Sequence, residues 1–414
     1  MKAFKTLTKP LNPLYMLVLF DILAFFLLYI RKTPFDTQAL IVGGALLAGT
    51  LLIYILTGIF QLGDRYMLLI TAMLISIGEL ILYRLDSSLG LKQAIWLGVS
   101  FLVYFLCYGL FGLITFWKRI IWVFPLLSVL LFLLTMVFGT TVNGSKNWIF
   151  IKGMSIQTSE IIKLLFVFFL ACYYSQRERL MDKYPRIWVT LIFMMLSYTM
   201  MGLMILQREW GTPMLLFLVF TLMLYIFEKD LRLFLLNGIA AAAASAVGLL
   251  FVHHIRVRVE ALVNPWKDIA GKGYQITQSL FAIGSGDFFG RGIGLGRPDF
   301  IPDVKTDFIF SAICEEMGMF GGAAVILLFL LLAYRGFKIA LECSDTFYKA
   351  LALGITLIFA FQAFIIIAGV IKLFLLTGIT LPFISYGGSS MVVNFAAMGI
   401  LQRIAALRET EGGC

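Results

Sequence analysis

Charge is scarce in this chain. Asp, Glu, Lys and Arg make up 14% of its 414 residues, against about 25% in an ordinary soluble domain. Hydrophobic residues reach 61%. That balance excludes a soluble globular enzyme, and it excludes disorder as well. Histidine is almost missing, with only His253 and His254. This nearly removes His-rich metal sites and Ser-His-Asp triads, which need more imidazoles or a separate partner for one. Five cysteines, at 107, 172, 314, 343 and 414, form no motif. Three fall in apolar runs, so they read as small hydrophobes and not as a disulfide framework. There is no Walker A sequence and no Asp-x-Asp pair. A sugar transferred by such a chain would come from a lipid-linked donor sooner than from a nucleotide sugar.

What is present is length of apolar sequence. A spanning helix takes about 20 apolar residues. Twelve runs of about that size fall near 14–30, 38–60, 67–84, 92–112, 118–138, 160–176, 187–206, 212–227, 231–253, 308–336, 345–371 and 387–406. They are continuous, not alternating, which excludes a transmembrane β-barrel. The fold class is therefore an all-α polytopic membrane protein of about twelve transmembrane helices. The first run follows Lys2, Lys5 and Lys9 but contains Asp21 and lacks a small-residue cleavage site, so it reads as a retained span. The termini and even-numbered loops hold most of the flanking cations, among them Arg65, Lys118, Arg119, Arg177, Lys183 and Arg335. By the positive-inside rule both termini are cytoplasmic. The formal charge of +10 then reads as topology and anionic lipid, not nucleic acid. The stretch Ala240–Ala244 predicts close helix packing.

The longest polar stretch is the loop 254–307, placed outside the membrane by this topology. It holds seven Lys and Arg, six Asp and Glu, and eight of the 37 glycines. Loops of this length are usually functional or disordered, and aromatics throughout it argue for order. Gly290, Gly292, Gly294 and Gly296 follow no strand, so a dinucleotide-binding reading is weak. A tight turn is the favoured reading, and anion binding by exposed N–H groups is the alternative.

Charges in or beside spans are costly and each is a functional candidate. Glu160 and Lys163 share one helix face behind Thr158 and Ser159. That pattern fits a capped helix with a local ion pair, or a polar site at the outer face. Glu209 lies in a very short turn beside Arg208, and Glu315 and Glu316 begin the tenth run. Asp21 and Glu79 sit mid-span, where hydrogen bonding between helices is the expected role. Asp268 follows Trp266 and the cations Arg256 and Arg258. A carboxylate in such a setting is a candidate general base.

Four segments together carry a family resemblance. They are Gly144–Ile149 leading to Gln157–Glu160 and Lys163; Gln207–Thr212; Asn264–Asp268 continuing to Gly271–Gln275, Ala282–Gly286 and Thr306–Phe310 with Glu315 and Glu316; and Thr377–Ser390. Over residues 67 to 405 the chain resembles the SEDS family (shape, elongation, division, sporulation; RodA-, FtsW- and SpoVE-like proteins). Residues 1–66 add two spans, as in the extended twelve-span type, ahead of a ten-helix core at 67–414.

The resemblance implies a SEDS-type, GT-C-like glycosyltransferase fold in the bacterial cytoplasmic membrane. It implies a peptidoglycan glycosyltransferase, active in cell shape, division or sporulation, that polymerises lipid II at the outer face and releases polyprenyl pyrophosphate. The partner it implies is a class B penicillin-binding protein. Asp268 maps to the catalytic carboxylate, a base for one inverting displacement. Glu160 and Lys163 map to a second family motif. Glu209, Arg256, Arg258, Trp266, Lys305, Asp307, Ser385 and Ser389 complete the expected substrate-binding set, with the cations facing pyrophosphate. No cofactor is fixed by the sequence; a divalent cation, Mg or Mn, is the candidate. Departures from the pattern stand at Asn147 (commonly Arg), Thr158 (Pro), Glu209 (Asp), Ile366 (Asn), Lys372 (Gly) and Leu375 (Pro). They mark a divergent paralogue. A lipid II flippase, or a catalytically weak scaffold for the penicillin-binding protein, is the alternative.

Overall fold

A computed structural model describes residues 12–31, 35–114, 116–142, 144–151 and 154–410. Lys2, Lys5, Lys9 and Cys414 lie outside the described residues. The helices are α1 (Pro13–Arg31), α2 (Thr37–Phe60), α3 (Arg65–Leu85), α4 (Ser87–Leu113) and α5 (Val123–Phe138). A sheet follows, of β1 (Thr140–Val142), β2 (Ser145–Ile151) and β3 (Met154–Gln157). Then come α6 (Thr158–Lys183), α7 (Arg186–Leu206), α8 (Gly211–Glu228) and α9 (Leu231–Phe251). The long loop contains α10 (His253–Val263) and α11 (Tyr274–Gly286). The chain ends with α12 (Ile309–Glu342), α13 (Thr346–Val370) and α14 (Gly388–Thr410).

Among the described residues, eleven helices are long and apolar enough to cross a membrane, and α5 is a shorter apolar helix. Each of the twelve apolar runs corresponds to one of these helices. Short connections are stopped and started by side-chain caps. Asp64 accepts from the N–H groups of Tyr66 and Met67 ahead of α3, and Asp86 does the same for Ser88 and Leu89 ahead of α4. Such caps satisfy N–H groups that a helix start leaves unpaired.

The helices divide into a buried set and a lipid-facing set. α13, α6, α14 and α3 are mostly enclosed by protein. α14 packs along α4, α13 lies between α12 and α6, and α1 and α2 pack on each other and on α3. Helix α9 is almost wholly exposed along its length. Its alanines therefore do not serve close helix packing as expected. Ala240, Ala241 and Ala244 line an apolar groove instead.

Two features escaped the apolar periodicity. The first is the antiparallel sheet β1-β2-β3, which pairs Trp148 with Thr140 on one side and with Gln157 on the other. Its strands are short and polar-edged, so an all-helical reading passes over them. The second is a break in α12 at Gly318, with φ 69° and ψ −169°. That backbone region is open essentially to glycine alone.

The break is where the glycine-rich part of the long loop docks. Arg291 and Gly292 N–H groups donate to the carbonyls of Glu315 and Glu316, and Met319 N–H donates to Asp287 O at 2.8 Å. A Cβ on Gly318 would sit 2.3 Å from the Gly290 nitrogen. Gly318→Ala should therefore combine backbone strain with a clash, at a cost of about 1–3 kcal/mol for the strain alone. The expected result is a fall of several degrees in the detergent-solubilised melting temperature, with no loss of helix content by circular dichroism.

Candidate active site

The sheet and the α7–α8 turn form one wall. Asn147 on β2 donates from Nδ2 to Glu209 at 2.7 Å, and Thr212 Oγ1 donates to the other carboxylate oxygen. Ser145 donates to the Arg208 carbonyl at 2.9 Å, stapling the strand to the turn. Glu209 is buried. Burial pushes its carboxyl above the usual range, and the hydrogen bonds from Thr212 and Asn147 work against that rise.

The second wall starts on α6. Lys163 and Glu160 are buried and pair at 2.7 Å. Lys163 also donates to Gln362 on α13 at 2.9 Å, and Gln362 donates to the Thr380 carbonyl at 2.7 Å. A relay therefore runs from α6 through α13 to the segment 377–390. That segment is pinned again by Ser385, which donates to Thr306 O at 2.6 Å and accepts from Leu381 N–H. Ser389 accepts from the Gln157 N–H at 3.3 Å, closing the ring onto β3.

The third wall is the long loop. Arg258 on α10 and Asp307 at its end reach the same point above Gly378. A Cβ on Gly378 would lie 3.5 Å from Asp307 Oδ2 and 3.7 Å from Arg258 Nη2. The Asp307 carboxyl is pushed up to about 7, first by burial and then by Asp303, while Thr306 and Arg258 pull it down. Burial lowers the Arg258 guanidinium, with Asp307 opposing.

These walls enclose a cavity of about 630 Å³ lined by Glu160, Glu209, Arg258, Asp307, Ser389 and Trp148, among others. The volume suits a sugar-sized headgroup. Beside it lies a second, apolar groove of about 600 Å³ between α7, α8, α9 and α10. The two share Trp210, Arg258, Leu376 and Thr377 as a common wall.

Five of the expected substrate-binding residues, Glu160, Glu209, Arg258, Asp307 and Ser389, line this cavity. Lys163 touches it through Glu160, and Ser385 supports it from below. Four of the expected residues are placed elsewhere. Arg256 donates to the carbonyls of Leu249 and Leu250, closing the end of α9. Trp266 is exposed and packs on Phe281, 5.7 Å between centroids. Lys305 pairs with Asp86 at 2.9 Å. Asp268 closes the 3-10 turn Pro265–Asp268 and is exposed outside the cavity lining. It accepts from the Lys272 N–H at 3.1 Å, and Lys272 and Gln275 do line the cavity. Asp268 is therefore tied to the cavity lining through the backbone of Lys272.

Gln362 escaped sequence reading, although a lone amide inside an apolar run is a usable signal. The departures have physical consequences. Asn147 and Glu209 bond to each other, so these two depart as a pair. Lys372 adopts φ 62°, a conformation that glycine takes without strain. Among the described residues no three His, Cys, Asp or Glu side chains converge on a point that could hold a metal ion. Among these residues a divalent cation would find no preformed set of protein ligands.

A family of cell cycle proteins, FtsW/RodA/SpoVE, matches residues 50–410. The chain belongs to this family. Stage V sporulation protein E of Bacillus subtilis is 32% identical over 360 residues, 83% of this chain and 96% of that protein. The probable peptidoglycan glycosyltransferase FtsW of Trichlorobacter lovleyi is 35% identical over 362 residues, 83% of this chain and 93% of its own. The peptidoglycan glycosyltransferase RodA of Mycobacterium bovis is 35% identical over 281 residues, but these are 64% of this chain and 58% of that one. Two solved structures at 24% identity share the fold. One comes from work on the coordination of polymerization and crosslinking by a peptidoglycan synthase complex, with TM-score 0.69, covering 84% of this chain and 99% of that chain. The other is RodA of Thermus thermophilus, with TM-score 0.62, covering 84% and 98%. This FtsW/RodA/SpoVE chain is thus a multi-pass membrane protein whose cavity joins the segments that carried the resemblance.

The raised Asp307 carboxyl has a signed consequence. An ordinary unfolded Asp titrates near about 3.9, whereas the folded carboxyl holds its proton up to about 7. The folded state therefore binds the proton more tightly, and ionisation of Asp307 opposes folding increasingly as pH rises from about 4 to 7. Asp307→Asn should melt at a higher temperature than wild type at pH 8, with the pH-dependent part of that gain fading toward pH 4. Thermal unfolding in detergent across this range checks it.

Proposed function

We propose that this protein polymerises lipid II into glycan strands at the outer face of the bacterial cytoplasmic membrane. The observation that carries the reading is the shared wall between a polar cavity and an apolar groove. A polyprenyl-pyrophosphate-linked disaccharide has the same division. Its sugars and pyrophosphate need polar contacts, and its tail needs a lipid-like surface. The names of the relatives as peptidoglycan glycosyltransferases support the same activity. The cation bias of the short loops supports cytoplasmic termini, which sets the cavity on the outer side. The motif resemblance read from the sequence adds two further parts to the proposal: a class B penicillin-binding protein as partner, and residues 1–66 as an addition to a ten-helix core.

The reaction joins the 4-hydroxyl of an acceptor GlcNAc to the anomeric carbon of a donor MurNAc. The anomeric C–O bond breaks, and polyprenyl pyrophosphate leaves with the bonding pair. A sugar hydroxyl is a weak nucleophile, so a carboxylate takes its proton as the new bond forms. Asp268 is the base in this reading. It is exposed, and its carboxylate is bonded to the backbone of Lys272, a residue of the cavity lining. One base serves a single displacement with inversion, whereas a retaining route needs a second carboxylate as nucleophile. Arg258 inside the cavity is placed to stabilise the charge that develops on the departing pyrophosphate.

A specific observation favours one second reading. Asp307 lines the cavity beside Arg258, and its carboxyl titrates near about 7, which suits a base working at neutral pH. The two readings separate by mutation. Asp268→Asn should lower polymerisation of labelled lipid II about 100-fold or more, with the chain still folded and its partner still bound. Undiminished glycan chains in Asp268→Asn, together with loss in Asp307→Asn, would transfer the role to Asp307.

The groove makes its own prediction. Ala244 lines the apolar groove and not the polar cavity, so Ala244→Trp is aimed at the groove alone. It should raise KM for long-tailed lipid II several-fold and leave kcat little changed. A short-tailed analogue should show a smaller effect on KM.

A further inference from the structure

In the glycine run 290–296 the N–H groups of Gly290, Gly292, Gly294 and Leu295 are taken by the protein's own oxygens. Gly294 N–H donates to Glu316 Oε2 at 2.8 Å, and Arg297 N–H donates to Glu315 Oε1 at 2.7 Å. The protein's own carboxylates occupy the place a phosphate would take. The glycines then serve a docking function, in which a loop is seated on the break of α12.

A carboxylate buried this way needs a cation, and Glu316 receives one from α3. Arg84 at the end of α3 pairs with Glu316 at 2.6 Å and donates to the Gly296 carbonyl at 2.7 Å. Two residues on, Asp86 holds Lys305 at 2.9 Å. A further cationic contact on the loop comes from α1. Arg31 donates from Nη1 to the Ile293 carbonyl at 3.2 Å. Its guanidinium lies so close to Gly294 that a Cβ there would fall 0.9 Å from Nη1. Gly294 has φ +78°, so the bare backbone is needed both for its conformation and for this approach.

The loop is thus held at 293, 296 and 305, in a row, before the chain reaches Asp307 in the cavity. The contacts at 296 and 305 come from α3 and its cap, inside the matched family segment. The contact at 293 comes from α1, which lies entirely before residue 50, where that match begins.

We propose that Arg31 is a positioning residue for polymerisation, through which the α1–α2 hairpin sets the placement of loop 287–307 over the cavity. It acts through the loop and touches no substrate. The catalytic part of this statement rests on the polymerase reading above.

The test uses the full chain with its penicillin-binding partner, in three variants. Arg31→Met keeps the stem and removes the cation. Arg31→Ala removes both, and Arg31→Lys keeps a cation. The first readout is backbone hydrogen exchange, which requires no activity. Amides of 290–297 should exchange about tenfold faster in Arg31→Met and Arg31→Ala, with Arg31→Lys closer to wild type and α13 unchanged. Unaltered exchange in 290–297 would overturn the proposal. The second readout is lipid II polymerisation, where kcat should fall several-fold at constant KM and recover in Arg31→Lys. Faster exchange with an unchanged kcat in an active enzyme would overturn the positioning role. If wild type made no polymer, the polymerase reading would fall with the catalytic role, while exchange would still decide whether Arg31 holds the loop.

Discussion

A charge in the low-dielectric interior of a membrane protein is costly unless it is paired inside the protein. That constraint organises this molecule. Lys163 is not free to wander: Glu160 and Gln362 hold it, and Gln362 carries the connection on to Thr380. The segment 377–390 is thereby fastened to two of the most enclosed helices. Ser385 and Tyr386 then fasten the last part of the long loop to that segment, through the carbonyls of Thr306 and Lys305. Cavity, loop and core are one connected polar structure inside an apolar shell.

The same constraint explains the two compartments of the site. Where polar side chains converge, the cavity can take sugars and pyrophosphate. Where α9 stands away from the bundle and offers alanines, the surface is as apolar as lipid. Arg258 and Trp210 stand on the boundary. A substrate that is half sugar and half hydrocarbon needs both compartments in contact, and a soluble protein would have nowhere to leave the tail.

Much of this was legible in the sequence, because apolar length is a strong signal and charge is rare enough to be followed residue by residue. Every apolar run became a helix. Glu160, Glu209, Arg258, Asp307 and Ser389 reached one cavity from segments far apart in the chain. What the sequence hid depends on tertiary geometry. Asn147 and Glu209 could be seen as two departures but not as one hydrogen-bonded pair. Arg256 and Arg258 differ by two positions on a helix, so they point to different sides. One closes α9 and the other enters the cavity. The small sheet is too short for periodicity to register. The glycine run was ambiguous between a turn and an anion site, and Glu315 and Glu316 decide for the turn.

A cavity that makes glycan strands differs measurably from one that merely passes lipid II or holds a partner. The direct measurement reconstitutes the wild-type chain in vesicles with a class B penicillin-binding protein and labelled lipid II, and follows glycan polymer and released polyprenyl pyrophosphate together. The expected product is a ladder of glycan chains, with about one polyprenyl pyrophosphate released for each linkage formed. Movement of lipid II between leaflets, with the partner bound and no polymer, would contradict it.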